Sequence, residues 1–205
     1  MMATMSTFDE RARDWDIPER RERAKALARV IRDTVPLTSS MRAIDIGAGT
    51  GLLGLELAGD VGQIVLAEPS AGMLEVAREK IATGAWPNAT AVALDLVGDP
   101  PPEPPFDLAV SLLVLHHVSD TTAALTAIHA LLAPGGRIAL MDLDAEDGSF
   151  HDEDAPGIHH HGFERAEIVR LAGAAGFVDL RTTTALEIER EGRAYPLFLL
   201  TGARP

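Results

Sequence analysis

The sequence predicts a doubly wound α/β domain, a parallel sheet with helices on both faces. Three observations lead there. The chain has 205 residues, 46% of them hydrophobic, enough for one domain with a sizeable core. Short β-type runs, apolar on successive residues and so on both faces, alternate with helical patterns. Residues 43–54 then read as a strand, a glycine-rich turn and a helix start.

The first element is a helix in an N-terminal arm, residues 1–40. Ala24, Leu27, Ala28 and Ile31 follow the i, i+3, i+4, i+7 spacing, and Pro36 closes the pattern. The arm is nearly neutral, with eight basic against seven acidic residues, whereas residues 41–205 carry ten against 24. Strands are expected at 42–46, 63–67, 90–94, 108–113 and 137–141, and helices at 51–58, 71–81 and 121–132. The five prolines of 100–105 read as a stiff extended spacer. After a long acidic loop come a helix at 164–174 that Gly176 ends, then strands at 178–184 and 195–201. The link at 189–192 is expected to be longer than a two-residue turn.

Composition narrows the function. A formal net charge of −13 argues against a nucleic-acid partner, because the protein's own field opposes a phosphate backbone. With no cysteine, disulfides, thiolate metal sites and Cys nucleophiles are excluded. The N-terminus lacks an apolar signal region, and the apolar stretch near 108–115 falls far short of the roughly 18 residues of a membrane span. The expectation is a cytoplasmic protein that does not enter a membrane.

Glycines at 47, 49 and 51 allow a sharp turn and let a ligand approach without meeting a Cβ, beside the amides of a helix start. A nicotinamide fingerprint counted from Gly47 needs glycine at 52, where Leu52 stands. Glu68, at the end of the second strand, can accept both ribose hydroxyls of an adenosyl ligand. Asp95, at the end of the third, can accept from an exocyclic amine. Each acid alone also reads as a solvated strand end; three strand ends in order make coincidence harder.

These residues resemble the class I S-adenosylmethionine-dependent methyltransferases over nearly the whole chain. The motifs are Asp45-Ile-Gly-Ala-Gly-Thr-Gly51, Glu68-Pro-Ser70 before Met73-Leu74, Asp95-Leu96, the run 106–118 ending in His116-His117-Val118, and 131–137. The match is to the small-molecule branch that includes quinone-biosynthesis enzymes. It implies a Rossmann-like sheet of order 3-2-1-4-5-7-6 with the last strand antiparallel. It also implies S-adenosylmethionine as methyl donor and a small-molecule acceptor. Asp45 and the turn Gly47, Ala48, Gly49, Gly51 would hold the methionine portion, Glu68 the ribose, and Asp95 and Leu96 the adenine, with Pro69 and Met73 also among the cofactor-binding residues. Ser111 and Leu112 would lie beside the amino-acid end and the methyl group. Phe8–Ala12 and Trp15-Asp16 are similar to the lead-in that folds over the cofactor in this branch.

His116 and His117 are the candidate catalytic pair: a neutral imidazole there can take a proton from the acceptor, or the pair can shape the pocket. Residues 142–154 hold seven acids and no Lys or Arg, followed by His159-His160-His161. With His151 these suffice chemically for a divalent ion, but a solvated lid explains the acidity without one, and no metal is expected. The loop 142–163 is expected to be an acceptor-side lid that orders on substrate binding. A non-catalytic binder of the same cofactor would carry the same turn and acid, and a protein acceptor also fits the enzyme class.

Overall fold

Among the described residues of the computed structural model, 2–100, 102, 105–152, 155 and 157–205, the chain forms seven strands and six α-helices. Pro101, Glu103 and Pro104 of the expected spacer, and Glu153, Asp154 and Pro156 of the acidic loop, lie outside the described residues.

The strands are β1 (Arg42–Ile46), β2 (Gln63–Ala67), β3 (Ala89–Val92), β4 (Phe106–Leu112), β5 (Leu132–Leu143), β6 (Val178–Arg190) and β7 (Arg193–Ala203). They form one sheet of order β3-β2-β1-β4-β5-β7-β6, in which β7 alone runs against the direction of the other six. This is the order the resemblance implied. Period-two alternation sends Ile44, Val65, Ala109 and Ile138 to one apolar cluster, and Ala43, Ile64, Leu108 and Ala139 to the other. Because both sets are apolar, both faces must be covered. α2 (Pro18–Thr34), α3 (Leu52–Leu57) and α4 (Ala71–Thr83) cover one face, and α5 (Thr121–Leu131) and α6 (Arg165–Ala174) the other. Leu27, Ala28 and Ile31, the stripe read from the sequence, are fully buried. Burying a side chain such as Leu27 stabilises by roughly 1.5–3 kcal/mol.

β1 is the switch point: the chain proceeds to β2 and β3 on one side and to β4 on the other, so a crevice opens beyond its carboxyl end. The arm supplies a further helix, α1 (Met2–Arg11), that periodicity had not indicated.

Several expectations are corrected. β3 ends at Val92, so Asp95 lies three residues beyond the strand. β4 ends at Leu112 because Leu113 takes a positive φ of 58°. β5 runs on to Leu143, which puts Asp142 inside a buried strand and not in the loop. The β6–β7 link is a two-residue turn after all: Glu191 and Gly192 both have positive φ, the type I′ geometry that matches strand twist, and the strands extend to meet it. The loop acids do not repel freely. Asp144 pairs with Arg165 at 2.6 Å, Asp147 with Arg193 at 2.7 Å and Asp152 with Arg190 at 2.5 Å. The cations come from α6 and the β6–β7 hairpin, beyond the segment whose charge had been counted.

Candidate active site

The turn after β1 carries positive φ at Gly47 (63°), Gly49 (57°) and Gly51 (83°), which is why glycine stands at each. At Gly47 a Cβ would also lie 2.5 Å from Cγ2 of Val114, the residue that the left-handed Leu113 aims across the turn. The Ala48 amide donates to the Ala67 carbonyl at 3.1 Å and so ties the turn to the end of β2.

Two carboxyls lie below and beside this turn. Asp45 is buried and its Oδ2 accepts from the Gly54 amide at 2.9 Å, which fixes α3 against β1. Burial pushes its carboxyl up to about 7, opposed by the Gly54 amide and reinforced by Glu68. Glu68 accepts from the Gly49 amide at 2.7 Å through Oε2 and from the Ser70 amide at 2.9 Å through Oε1. Burial raises its pKa too, against the pull of those two amides.

The arm lies across the turn. Trp15 Nε1 is 3.9 Å from where a Cβ on Gly49 would be, and the Arg20 guanidinium stacks 3.9 Å from the Trp15 ring centroid. Asp16 accepts from Thr50 Oγ1 at 2.5 Å and pairs with Lys80 at 2.7 Å. Asp9 Oδ1 accepts from Ser70 Oγ at 2.6 Å and from the Gly72 amide at 2.8 Å. Turn, α4 and arm are thereby joined.

Next to the turn is a histidine cluster. His116 and His117 sit in a 3-10 turn directly after β4. His116 is buried, with Nδ1 2.7 Å from Oδ1 of Asp142 and Nε2 3.2 Å from Nε2 of His151. His117 Nδ1 is 2.9 Å from the Gly157 carbonyl, and its ring meets Phe8 edge-on at 5.3 Å. Burial first, and His116 second, push both His117 and His151 down to about 4. The neutral imidazoles that this implies at pH 7 can accept a proton. Among the described residues no group of three or more His, Asp or Glu is arranged to hold a metal ion. Among the described residues no helix is long and apolar enough to cross a membrane.

A family profile described as a methyltransferase domain matches residues 19–182. The chain belongs to this family, the class I S-adenosylmethionine-dependent methyltransferases. An uncharacterized methyltransferase of Schizosaccharomyces pombe is 31% identical over 147 residues, covering 65% of this chain and 52% of that protein. A ubiquinone/menaquinone biosynthesis C-methyltransferase of Teredinibacter turnerae is 35% identical over 112 residues, covering 53% and 45%. The chain thus spans about half the length of these curated relatives. Among solved structures, Haemonchus contortus phosphoethanolamine N-methyltransferase 2, in complex with phosphomonomethylethanolamine and S-adenosylhomocysteine, superimposes with a TM-score of 0.73. The sequence identity is 18%, with 88% of this chain and 52% of that one covered, so the likeness is one of fold.

The cofactor of this family is S-adenosylmethionine, and the methyltransferase chain has residues that fit it. The glycine cradle leaves open the space that a Cβ on Gly49 would take, Glu68 sets a buried carboxyl against the tip of the turn, and Ser111 has a buried Oγ without a hydrogen-bond partner among the described residues. Ser111 is register partner to Ile46, so it stands level with the start of the turn. Gly47, Ala48, Gly49, Gly51, Glu68, Ser111 and Leu112 therefore converge at the carboxyl ends of β1, β2 and β4. Pro69 is exposed beside them, and Met73 is buried within α4. Asp95 closes its own turn: its Oδ1 accepts from the amides of Val97 at 3.2 Å and Gly98 at 3.3 Å, with half-buried Leu96 inside that turn, and just before it the Leu94 amide donates to the Glu68 carbonyl at 3.4 Å.

Residues that sequence reasoning missed are Thr50 as the turn's partner for Asp16, the strained Leu113, and the pairing of Asp142 and His151 with His116. One signal was available for Asp142. It lies between Met141 and Leu143 in an apolar run, where an acid must find a buried partner.

Proposed function

We propose that the chain transfers the methyl group of S-adenosylmethionine to a small-molecule acceptor by in-line displacement. The observation that carries this reading is the bond between Glu68 and the Gly49 amide, which sets the ribose-type acid against the tip of the glycine turn. Bound S-adenosylmethionine supplies an electrophilic methyl group on a good leaving group, so the protein's work is mainly alignment, exclusion of water and proton management. In this reading Glu68 accepts the ribose hydroxyls, the open face of the glycine turn and Ser111 Oγ face the amino-acid end, and Asp45 acts through Gly54 by fixing α3. Asp95 takes the adenine amine once its turn to Val97 and Gly98 opens.

The arm, residues 1–40, closes the donor side, with Trp15 over Gly49 shielding the turn from water. His116 and His117 stand on the acceptor side. The segment 144–163 is the acceptor lid, hinged between its paired ends. The net charge of −13 favours small ligands over nucleic acid, and the protein is assigned to the cytoplasm. The quinone-biosynthesis methyltransferases among its relatives support a small-molecule acceptor.

The test incubates the protein with methyl-labelled cofactor and, in parallel, cell metabolites and cell protein. Label in the small-molecule fraction is expected. Label in protein alone would transfer the assignment to a protein acceptor. Tight donor binding with no label anywhere would favour a regulatory binding module.

A further inference from the structure

We propose that His151 is the proton acceptor of the methyl-transfer step, held in the required tautomer by a buried Asp142–His116 pair. This rests on the assignment of methyl transfer and adds a residue to it. His116, taken from the sequence as a direct participant, becomes a positioning residue.

The hydrogen bonds fix the direction of the chain. Asp142, fully buried at the end of β5, accepts backbone amides at both oxygens: His116 N at 3.3 Å on Oδ2 and Leu143 N at 2.8 Å on Oδ1. An oxygen already accepting an amide faces the imidazole as an acceptor, so His116 Nδ1, 2.7 Å from Oδ1, is the donor. With its Nδ1–H spent on Asp142, the His116 imidazole in this proposal presents a lone pair at Nε2. His151 Nε2, 3.2 Å away, must carry the hydrogen that points at it. His151 is thereby left with a lone pair at Nδ1, and among the described residues that nitrogen has no hydrogen-bond partner. A carboxyl-imidazole pair that sets the tautomer of the group beyond it is a known way to prepare a base.

Placement agrees. A wall of rings leads from the donor turn to the His151 ring. Trp15 lies over Gly49, Phe8 is 5.8 Å from Trp15, His117 is 5.3 Å from Phe8, and His151 is 5.9 Å from His117. His151 is also half-buried between Phe150 at 4.9 Å and His116 at 5.0 Å, so its ring is constrained on two sides. The charged and titratable groups facing it are His116, His117, Asp142, Glu146 and Arg190. The buried pair sits on β5 and the turn after β4, the rigid part of the sheet, whereas His151 belongs to the loop. Closing the loop onto His116 is what completes the base.

The step balances simply. The acceptor X–H forms its bond to the methyl carbon, its proton passes to Nδ1 of His151, and the X–H electron pair remains on X. The resulting imidazolium keeps its Nε2–H bond to His116, whose own Nδ1–H stays on Asp142, so the new charge faces a carboxyl through one ring. The acceptor class is one whose attacking atom must shed a proton, such as a hydroxyl.

Nitrogen-15 NMR of the full chain with labelled histidine tests the tautomer without needing the acceptor. The expected spectrum shows His116 protonated at Nδ1 and His151 at Nε2. In His116→Phe, Asp142 keeps both amide donors, a melting curve checks that the fold is retained, and His151 should lose its fixed tautomer. An unchanged His151 tautomer in that variant would overturn the proposal. With the acceptor in hand, His151→Ala should lower kcat by about 100-fold or more while leaving S-adenosylhomocysteine affinity unchanged, and added imidazole should restore part of the rate. A kcat within a few-fold of the parent, or a loss without imidazole rescue, would reject His151 as the base. Methyl transfer itself would still stand in either case. Failure of the parent protein to transfer any methyl group would instead remove the functional assignment, while the tautomer result would remain readable.

Discussion

The amide of Gly49 donates to Oε2 of Glu68 at 2.7 Å, so the tip of the turn after β1 and the acid ending β2 form one hydrogen-bonded unit. A ribose that binds Glu68 must share or displace this amide. Donor affinity and the shape of the turn are thus coupled.

From this coupling, Glu68→Ala should weaken S-adenosylhomocysteine binding more than Asp95→Ala. Hydrogen bonds to a charged group are worth roughly 1.5–3 kcal/mol each, so at least about tenfold is expected at Glu68. Asp95 spends its carboxyl on its own turn, and its replacement should cost only a few-fold. Calorimetric titration of the two variants, with melting curves to check the fold, decides between them. Equal and negligible losses would reject the ribose role.

The glycines at 47 and 49 should fail in different ways. Either Gly→Ala change carries a φ penalty of roughly 1–2 kcal/mol. At Gly47 the new methyl also meets Val114 at 2.5 Å, which adds an overpacking cost of about 1–3 kcal/mol. At Gly49 the nearest atom is Trp15 Nε1 at 3.9 Å. Gly47→Ala should therefore melt several degrees lower than Gly49→Ala, and Gly49→Ala should keep its fold but lose donor affinity. Melting temperature and titration read the two effects separately.

Asp45 on one side and His117 with His151 on the other should shift stability with pH in opposite directions. Asp45, raised to about 7, favours the folded state at low pH, a contribution lost as pH rises from about 4 through 7. His117 and His151, lowered to about 4, favour folding above pH 6.5, a contribution lost as pH falls through 6.5 toward 4. Relative to the parent, Asp45→Asn should gain several degrees of melting temperature between pH 5 and 8. Under the same scan, His117→Asn should flatten the loss of stability below pH 6.5. Parallel curves for parent and variants would contradict both assignments.

Most of the sheet was legible in the sequence because strands buried on both faces read as apolar runs, and because glycine is needed at each positive φ of the turn. The failures share a cause. Asp142 was counted with the loop acids because the strand end was placed at Met141, and its partner His116 lies 26 positions away. The loop's arginine partners, Arg165, Arg190 and Arg193, lie outside the segment whose charge looked unbalanced. Local pattern reports which face a residue occupies. It does not report which distant side chain waits there.

The arm should act as a latch on the donor side. Asp16 joins Thr50 in the turn to Lys80 on α4, and its bonds are part-buried. Asp16→Ala should increase hydrogen exchange at residues 7–16 and speed S-adenosylhomocysteine release several-fold, with little change in melting temperature. Unaltered exchange in the arm would show that its other ties, Asp9 to Ser70 and Gly72 among them, hold it without Asp16.

Calorimetric titration of S-adenosylhomocysteine and of NAD, each into the parent protein and into Glu68→Ala, tests the central claim most directly. The account predicts saturable binding of S-adenosylhomocysteine to the parent, at least about tenfold weaker in Glu68→Ala, and no measurable binding of NAD to either. Binding of NAD alone would contradict it.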